Sequence, residues 1–306
     1  MEVNCQAIKS VKVNDKKSNK NKYIIEKVSK NIFFTSALIA IISLLLIIGF
    51  VFYKGLTPFL FKGYSFIDFL SGKEWVPSSD KFGVAPMIVS SLFATIGALI
   101  IGVPIGVLTA IFIAEIAPKK FSKIISSSVE LLAGIPSVLY GVFGLAFIVP
   151  SIQNIFNLPK GQSLLAVIIV LSIMMLPTIV SVSETAIRAV PNSYREGSLA
   201  LGASKIETIF KVVIPASKSG ILAAIVLGIG RALGETMAII LVAGNSPVMP
   251  SSLMDSVRPL TTNIALEMGY AFGTHQEMLF ATGVVLFTFI LVLNIVLNKL
   301  SSKVVD

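Results

Sequence analysis

Apolar residues fall along this chain in six long runs, each parted from the next by a polar, basic or turn-forming segment. The first, Asn31–Tyr53, carries no charge and is long enough to cross about 30 Å of hydrocarbon as a helix. The second lies within Pro86–Ala114 and is interrupted by Gly97, Gly102, Pro104 and Gly106. The third falls at about Leu131–Val149, the fourth at Leu164–Val182 with Pro177 as a kink, the fifth at about Ser219–Ala243 and the sixth at Met278–Asn298. Between them lie a mixed polar loop, Lys54–Ala85, and a turn-rich loop, Gly244–Glu277, with a short helical candidate at Thr262–Met268. The pattern predicts an all-α membrane protein of six transmembrane helices.

One polar segment has a shape of its own. Ser193–Pro215 carries the S-x-x-E spacing of a capping box twice, at Ser193–Glu196 and at Ser204–Glu207. Gly202 falls where a helix leaving through the left-handed region needs a residue without Cβ, and Pro215 cannot continue a helix. The expectation is two short helices at an angle, the second with Ile206, Ile209, Phe210 and Val213 on one face. A connection between two spans has no need of this form unless something docks on it.

Composition supports the membrane reading: 55% of the 306 residues are hydrophobic and only 13% charged, where soluble domains average about a quarter charged. The net charge of +9 is a matter of placement rather than a nucleic-acid surface. With the N-terminus inside, the inner segments hold eighteen Lys and Arg and the outer segments six, which obeys the positive-inside rule. Both termini and Ser193–Pro215 are thereby expected in the cytoplasm of a multi-pass cell-membrane protein. The organisation expected is a tail at 1–30, a first span at 31–53, an outer loop at 54–85, a core of five helices at 86–300 and a short tail at 301–306. No packed structure is expected of the first twenty residues. A cleaved leader is not expected, because no small-residue cleavage site follows the first apolar run.

Catalytic chemistry finds no support. There is no G-x-x-x-x-G-K-[ST] loop for ATP, no Ser/His/Asp arrangement, and no carboxylate pair facing a wet cleft. Cys5 is the single cysteine, which excludes internal disulfides and multi-cysteine metal sites. His275 is also alone and reads as a loop histidine rather than a metal ligand. Trp75 reads as an interface anchor. The glycines around Gly134–Ile135–Pro136, with Gly141 and Gly144, suit either close helix packing or the lining of a pathway.

Two charges lie inside the fifth run. Arg231 stands near its middle, about 18 Å of helix rise from either end, and an Arg at that depth costs on the order of 3 kcal/mol on insertion scales. Glu235, four residues on, is expected on the same face one turn away. One reading is a self-contained ion pair. The other is functional: with Gly228, Gly230 and Gly234 removing bulk, the guanidinium suits a tetrahedral oxyanion held by two parallel hydrogen bonds. On that reading Glu235 neutralises Arg231 until an anion competes for it.

The residues Glu196–Gly197–Ser198, Gly202 and Ile214–Pro215 resemble the EAA motif of ABC importer permeases, with Gly197–Ser198 in place of its two alanines. Residues 131–144 (LLAGIPSVLYGVFG), 230–238 (GRALGETMA) and 260–265 (LTTNIA) resemble the phosphate-specific permeases, and the segment from Glu74 to Gly83 is more similar to the PstC type than to the PstA type. The resemblance implies the type I ABC importer permease fold. It also implies a heterodimer with a homologous, PstA-type permease, a cytoplasmic ATPase dimer that carries the ATP and magnesium, and an extracytoplasmic phosphate-binding protein. It assigns ATPase coupling to Glu196, Gly197, Ser198, Gly202, Ile214 and Pro215, and passage of inorganic phosphate to Arg231 and Glu235. No cofactor, metal or nucleic acid is expected on this chain. Rival readings are a permease for another oxyanion or solute, an ion-gradient-driven secondary carrier, and a scaffold for a phosphate-sensing kinase.

Overall fold

The computed structural model describes the backbone of residues 3–305 and the side chains of 22–296 and Lys299. Among the described residues, six helical stretches are long and apolar enough to cross a membrane: Lys22–Phe61, Ala85–Ile116, Ser137–Phe156, Leu164–Arg188, Lys205–Gly234 and Thr274–Val296. The chain is all-α apart from one two-residue hairpin. It divides into two units, residues 1–53 and 54–306. The first belongs to α1 (Val3–Phe61), a helix that contains the whole charge-free run. The side chain of Cys5 lies outside the described residues.

The loop that opens the second unit is more ordered than its composition suggests. Helix α2 (Phe66–Ser71) is capped by Ser65, whose hydroxyl accepts the Asp68 amide. Strands β1 (Trp75–Val76) and β2 (Lys81–Phe82) pair antiparallel, Trp75 opposite Phe82. Trp75 is buried, its ring edge-on to Phe82 at 5.5 Å. It is therefore not an interface anchor: an indole can be enclosed when its N–H finds a partner, and this one donates to Glu267.

Helix α3 (Ala85–Ile111) runs into a π-helical turn at Phe112–Ile116. The basic residues Lys119, Lys120 and Lys123 open a fifteen-residue helix, α4 (Lys119–Ala133), rather than a simple turn. The third span then starts at Ser137, later than Leu131. Pro136 lacks an amide donor and disfavours helical backbone at Ile135, so Gly134–Pro136 divides α4 from α5 (Ser137–Phe143). A π-helical segment, Gly144–Ile148, joins α5 to α6 (Val149–Phe156). The fourth span, α7 (Leu164–Arg188), is the most enclosed, its Val167, Leu171, Met175 and Ile179 among the core side chains.

In lipid, helices associate through close packing rather than expulsion of water, and small residues decide where backbones meet. A Cβ built on Gly141 would lie 2.7 Å from the Ala238 Cα. That contact sets α5 directly against α11 (Met237–Val242) and settles the role of this glycine as packing. The start of α7 is closed by the long loop before α12 (Leu260–Glu267): its Asp255 and Leu253 carbonyls accept the Leu164 and Leu165 amides at 2.9 and 2.8 Å. Asp255 holds that loop by accepting the Ser251 and Ser252 amides, and these bonds lower its pKa. The last span, α13 (Thr274–Val305), follows.

Candidate functional site

The connection between the fourth and fifth spans folds as an elbow. Helix α8 (Asn192–Ala200) ends near Gly202, whose φ of +87° is the left-handed exit expected of it. Ser204 then opens α9 (Lys205–Thr208) with a complete capping box: its hydroxyl accepts the Glu207 amide and Glu207 accepts the Ser204 amide. The first box does not form. Pro191 occupies the cap position of α8 with no side-chain bond, and since the helix already begins at Asn192, Ser193 lies inside its first turn and cannot cap it.

Pro215 does not end the elbow either. The backbone continues through a π-helical stretch, Ile209–Val213, into α10 (Ile214–Gly234), and the irregular turn just before Pro215 accommodates a residue that has no amide to bond back to the preceding turn. The π-helical register also divides the predicted apolar face. Ile209 and Val213 are buried, whereas Ile206 and Phe210 are exposed. With Tyr194, Leu199 and the 91%-exposed Leu201 they leave the elbow strongly apolar on its outside. A shallow concavity of about 550 Å3 on this surface is lined by Tyr194, Gly197, Ser198, Leu201, Ala203 and Val212. Glu196 is exposed beside it.

A residue that sequence reasoning missed fastens the elbow to the spans. Arg195 of α8 pairs with Glu115 (Nη2–Oε1 2.6 Å) and donates to the carbonyls of Ile187, at 3.0 Å, and Val190. Ile187 is in the last turn of α7 and Val190 just past its end, where a helix offers carbonyls to side-chain donors. A second arginine works alongside: Arg188 bonds Glu184, the Ile113 carbonyl and Ser122. Glu115 was the available signal, an acidic residue at the edge of an apolar run with no local partner.

The fifth span is broken where the sequence suggests one helix. Gly234 ends α10, and Glu235, with ψ of 135°, turns the chain before α11 begins. Arg231 and Glu235 therefore do not share a helical face and form no ion pair. Glu235 instead accepts the Ala238 amide at 3.1 Å, at the positive end of α11. Arg231 lies in the last turn of α10, the end of a helix that favours a cation. Among the described residues it is half-buried and has neither a hydrogen bond nor an ion pair. Each charge is compensated by its own helix end. Space is open beside Gly230 and Gly234, whereas Gly228 packs on Ile179.

Groups freed by the two breaks are satisfied locally, as a membrane interior demands. The Tyr140 hydroxyl donates to the Leu132 carbonyl at 2.6 Å across the Gly134–Pro136 break. Thr236 donates to the Gly234 carbonyl at 3.3 Å and Thr261 to the Glu235 carbonyl at 2.9 Å. Gly141 of the first stretch lies directly against Ala238 of the second. The three stretches 131–144, 230–238 and 260–265 thus meet in space. Tyr140 and Thr261 lay inside them without an assigned role.

Among the described residues, six helices long and apolar enough to cross a membrane, two breaks in the chain and an exposed elbow between the fourth and fifth describe a polytopic membrane protein. The chain belongs to the binding-protein-dependent transport system inner membrane component family, which matches residues 102–306. It is 42% identical, over 94% of each chain, to the probable ABC transporter permease protein YqgH of Bacillus subtilis. It is 36% identical to the phosphate transport system permease protein PstC of Haemophilus influenzae, over 74% of this chain and 79% of that one. The fold is that of type I ABC importer permeases. It matches a chain of a bacterial alginate ABC transporter with a TM-score of 0.63 at 19% identity, over 92% of this chain and 98% of that one. It also matches a chain of the MetNI methionine ABC transporter at 0.55 and 20% identity, over 73% and 95%.

Proposed function

We propose that this chain is the PstC-type half of the membrane pathway of an ATP-driven importer of inorganic phosphate. The observation that carries this reading is the meeting of 131–144, 230–238 and 260–265, the second of which carries Arg231, a guanidinium with no hydrogen bond or ion pair among the described residues and with open space at Gly230 and Gly234. A planar fork of donors takes two oxygens of a tetrahedral anion in parallel. The named PstC relatives support phosphate as that anion. The partner permease, of PstA type, completes the pathway on the open side, and a phosphate-binding protein delivers the anion from outside.

The elbow faces the cytoplasm, with both termini, and seats against an ATPase dimer through Glu196, Gly197, Ser198 and Gly202, with Ile214 and Pro215 leading into α10. Closure of the ATPases moves α8 and α9 as a rigid body, and with them α7 and α10, so that Arg231 changes the side it serves. Leu201→Glu places a charge on the most exposed apolar residue of the elbow. It is expected to cut ATPase co-purification about tenfold, roughly 1.4 kcal/mol of association, with the amount of permease in the membrane unchanged. Retention of the ATPase at the wild-type level would place the docking surface elsewhere.

The complete transporter in proteoliposomes tests the function. Import of radiolabelled phosphate is expected to require ATP and the binding protein, and to resist competition by sulfate and molybdate. Competition by either anion at equal concentration assigns another oxyanion. Import driven by an ion gradient without ATP overturns the importer reading.

A further inference from the structure

On the side of the molecule carrying the hairpin, four segments converge on one carboxylate. Glu267, at the end of α12, is 6% exposed and takes three partners. Trp75 Nε1 donates to it at 2.8 Å, Arg258 Nη1 at 2.6 Å, and His275 Nε2 lies 2.8 Å away. Trp75 comes from the hairpin, Arg258 from the loop before α12 and His275 from the first turn of α13. His275 is thus no free loop histidine. Its ring stands among those of Trp75, Phe82 and Tyr270, with centroids 6.0 to 6.3 Å apart. An enclosed carboxylate is costly unless it is fully bonded, and this one is bonded to elements far apart in the chain.

The other end of α12 touches the broken span. The Leu260 amide donates to Ser91 of α3 at 3.0 Å, and Thr261 donates to the Glu235 carbonyl at 2.9 Å. Eight residues of helix rise about 12 Å, so α12 is a short rod between the Glu267 cluster and the turn that follows Arg231. Arg258 ties the cluster to the end of α11 as well, through the Asn245 carbonyl at 2.8 Å.

We propose that Glu267 is a positioning residue for anion passage: through α12 it fixes the Gly234–Thr236 turn, and with it the orientation of Arg231, without touching the anion. This rests on the role given to Arg231 above. The packing of α3, α7 and α10 on one another rests on their own apolar faces, whereas Trp75 also belongs to the core that joins α3 to α13, so import is read against the yield of assembled complex.

The test uses the complete transporter with Glu267→Gln, Thr261→Val and both together. Each single change is expected to lower the maximal import rate about tenfold while the half-saturating phosphate concentration moves less than about twofold. The double variant is expected to be no worse than the poorer single one, as for two residues in one chain of contacts. Hydrogen exchange over residues 235–242 reports the positioning without reference to any solute, and it is expected to accelerate about tenfold in each variant. Additive losses, or unchanged exchange there in Glu267→Gln, would overturn the proposal. If Glu267→Gln does not assemble, Trp75→Phe keeps the ring and removes one donor. It should shift exchange at 235–242 in the same direction, and no shift there would count against the rod. If the wild-type transporter imports no phosphate while the variants still show these exchange changes, the substrate assignment is refuted and the positioning stands.

Discussion

Arg231→Ala is expected to reduce phosphate import by the reconstituted transporter on the order of a hundredfold, leaving assembly and thermal stability at the wild-type level. A forked pair of charge-assisted hydrogen bonds is worth roughly 3 kcal/mol or more to the anion, which converts to that factor. Stability should not follow import down, because no described group depends on this guanidinium for a bond. Its removal opens space next to Gly230 and Gly234, which is already open. Arg231→Lys keeps the charge but loses the planar fork, so it should fall between the two. The measurement is initial import rate set against the yield of intact complex. Wild-type rates in a fully assembled Arg231→Ala transporter would remove Arg231 from the pathway and leave the phosphate assignment without a residue to carry it.

The features legible in the sequence were those decided within a few residues. Ser204 and Glu207 are three apart and form the capping box they suggest, and Gly202 takes the positive φ its position suggests. The six apolar runs mark the spans for the same reason, since hydrocarbon thickness is a local demand. What stayed hidden depended on distant partners. The break after Gly234 is not marked by a proline, and Thr261, 26 residues on, satisfies the carbonyl of Glu235 that it exposes. Trp75 looked like an anchor because its acceptor, Glu267, lies 192 residues away. Arg195 stood inside a presumed capping box, and its true partner, Glu115, is 80 residues earlier. The π-helical stretch Ile209–Val213 carries no compositional mark, yet it decides which of the four elbow side chains remain outside.

Arg195 supplies the opposite case to Arg231. Its side chain and that of Glu115 are 19% and 10% exposed, and Arg195→Ala would leave a buried carboxylate alone, a loss of about 3 to 5 kcal/mol. The Val190 carbonyl would lose the Arg195 donor at the same time, and the Ile187 carbonyl would keep only its backbone amides. Arg195→Ala is therefore expected to lower the melting temperature of the assembled permease and to abolish ATP-driven import together, since α8 would no longer be fixed to α7 and to the end of the second span. The order of variants separates the two contributions. Glu115→Gln can still accept from the guanidinium and leaves both carbonyls capped, so it should be milder than Arg195→Lys, whose single ammonium cannot reach three acceptors in fixed directions. The exchanged pair, Glu115→Arg with Arg195→Glu, restores the charges but turns a carboxylate toward the two carbonyls, and should rescue neither property. Equal damage from Glu115→Gln and Arg195→Ala would mean that the ion pair alone holds the elbow and that the caps on α7 contribute little.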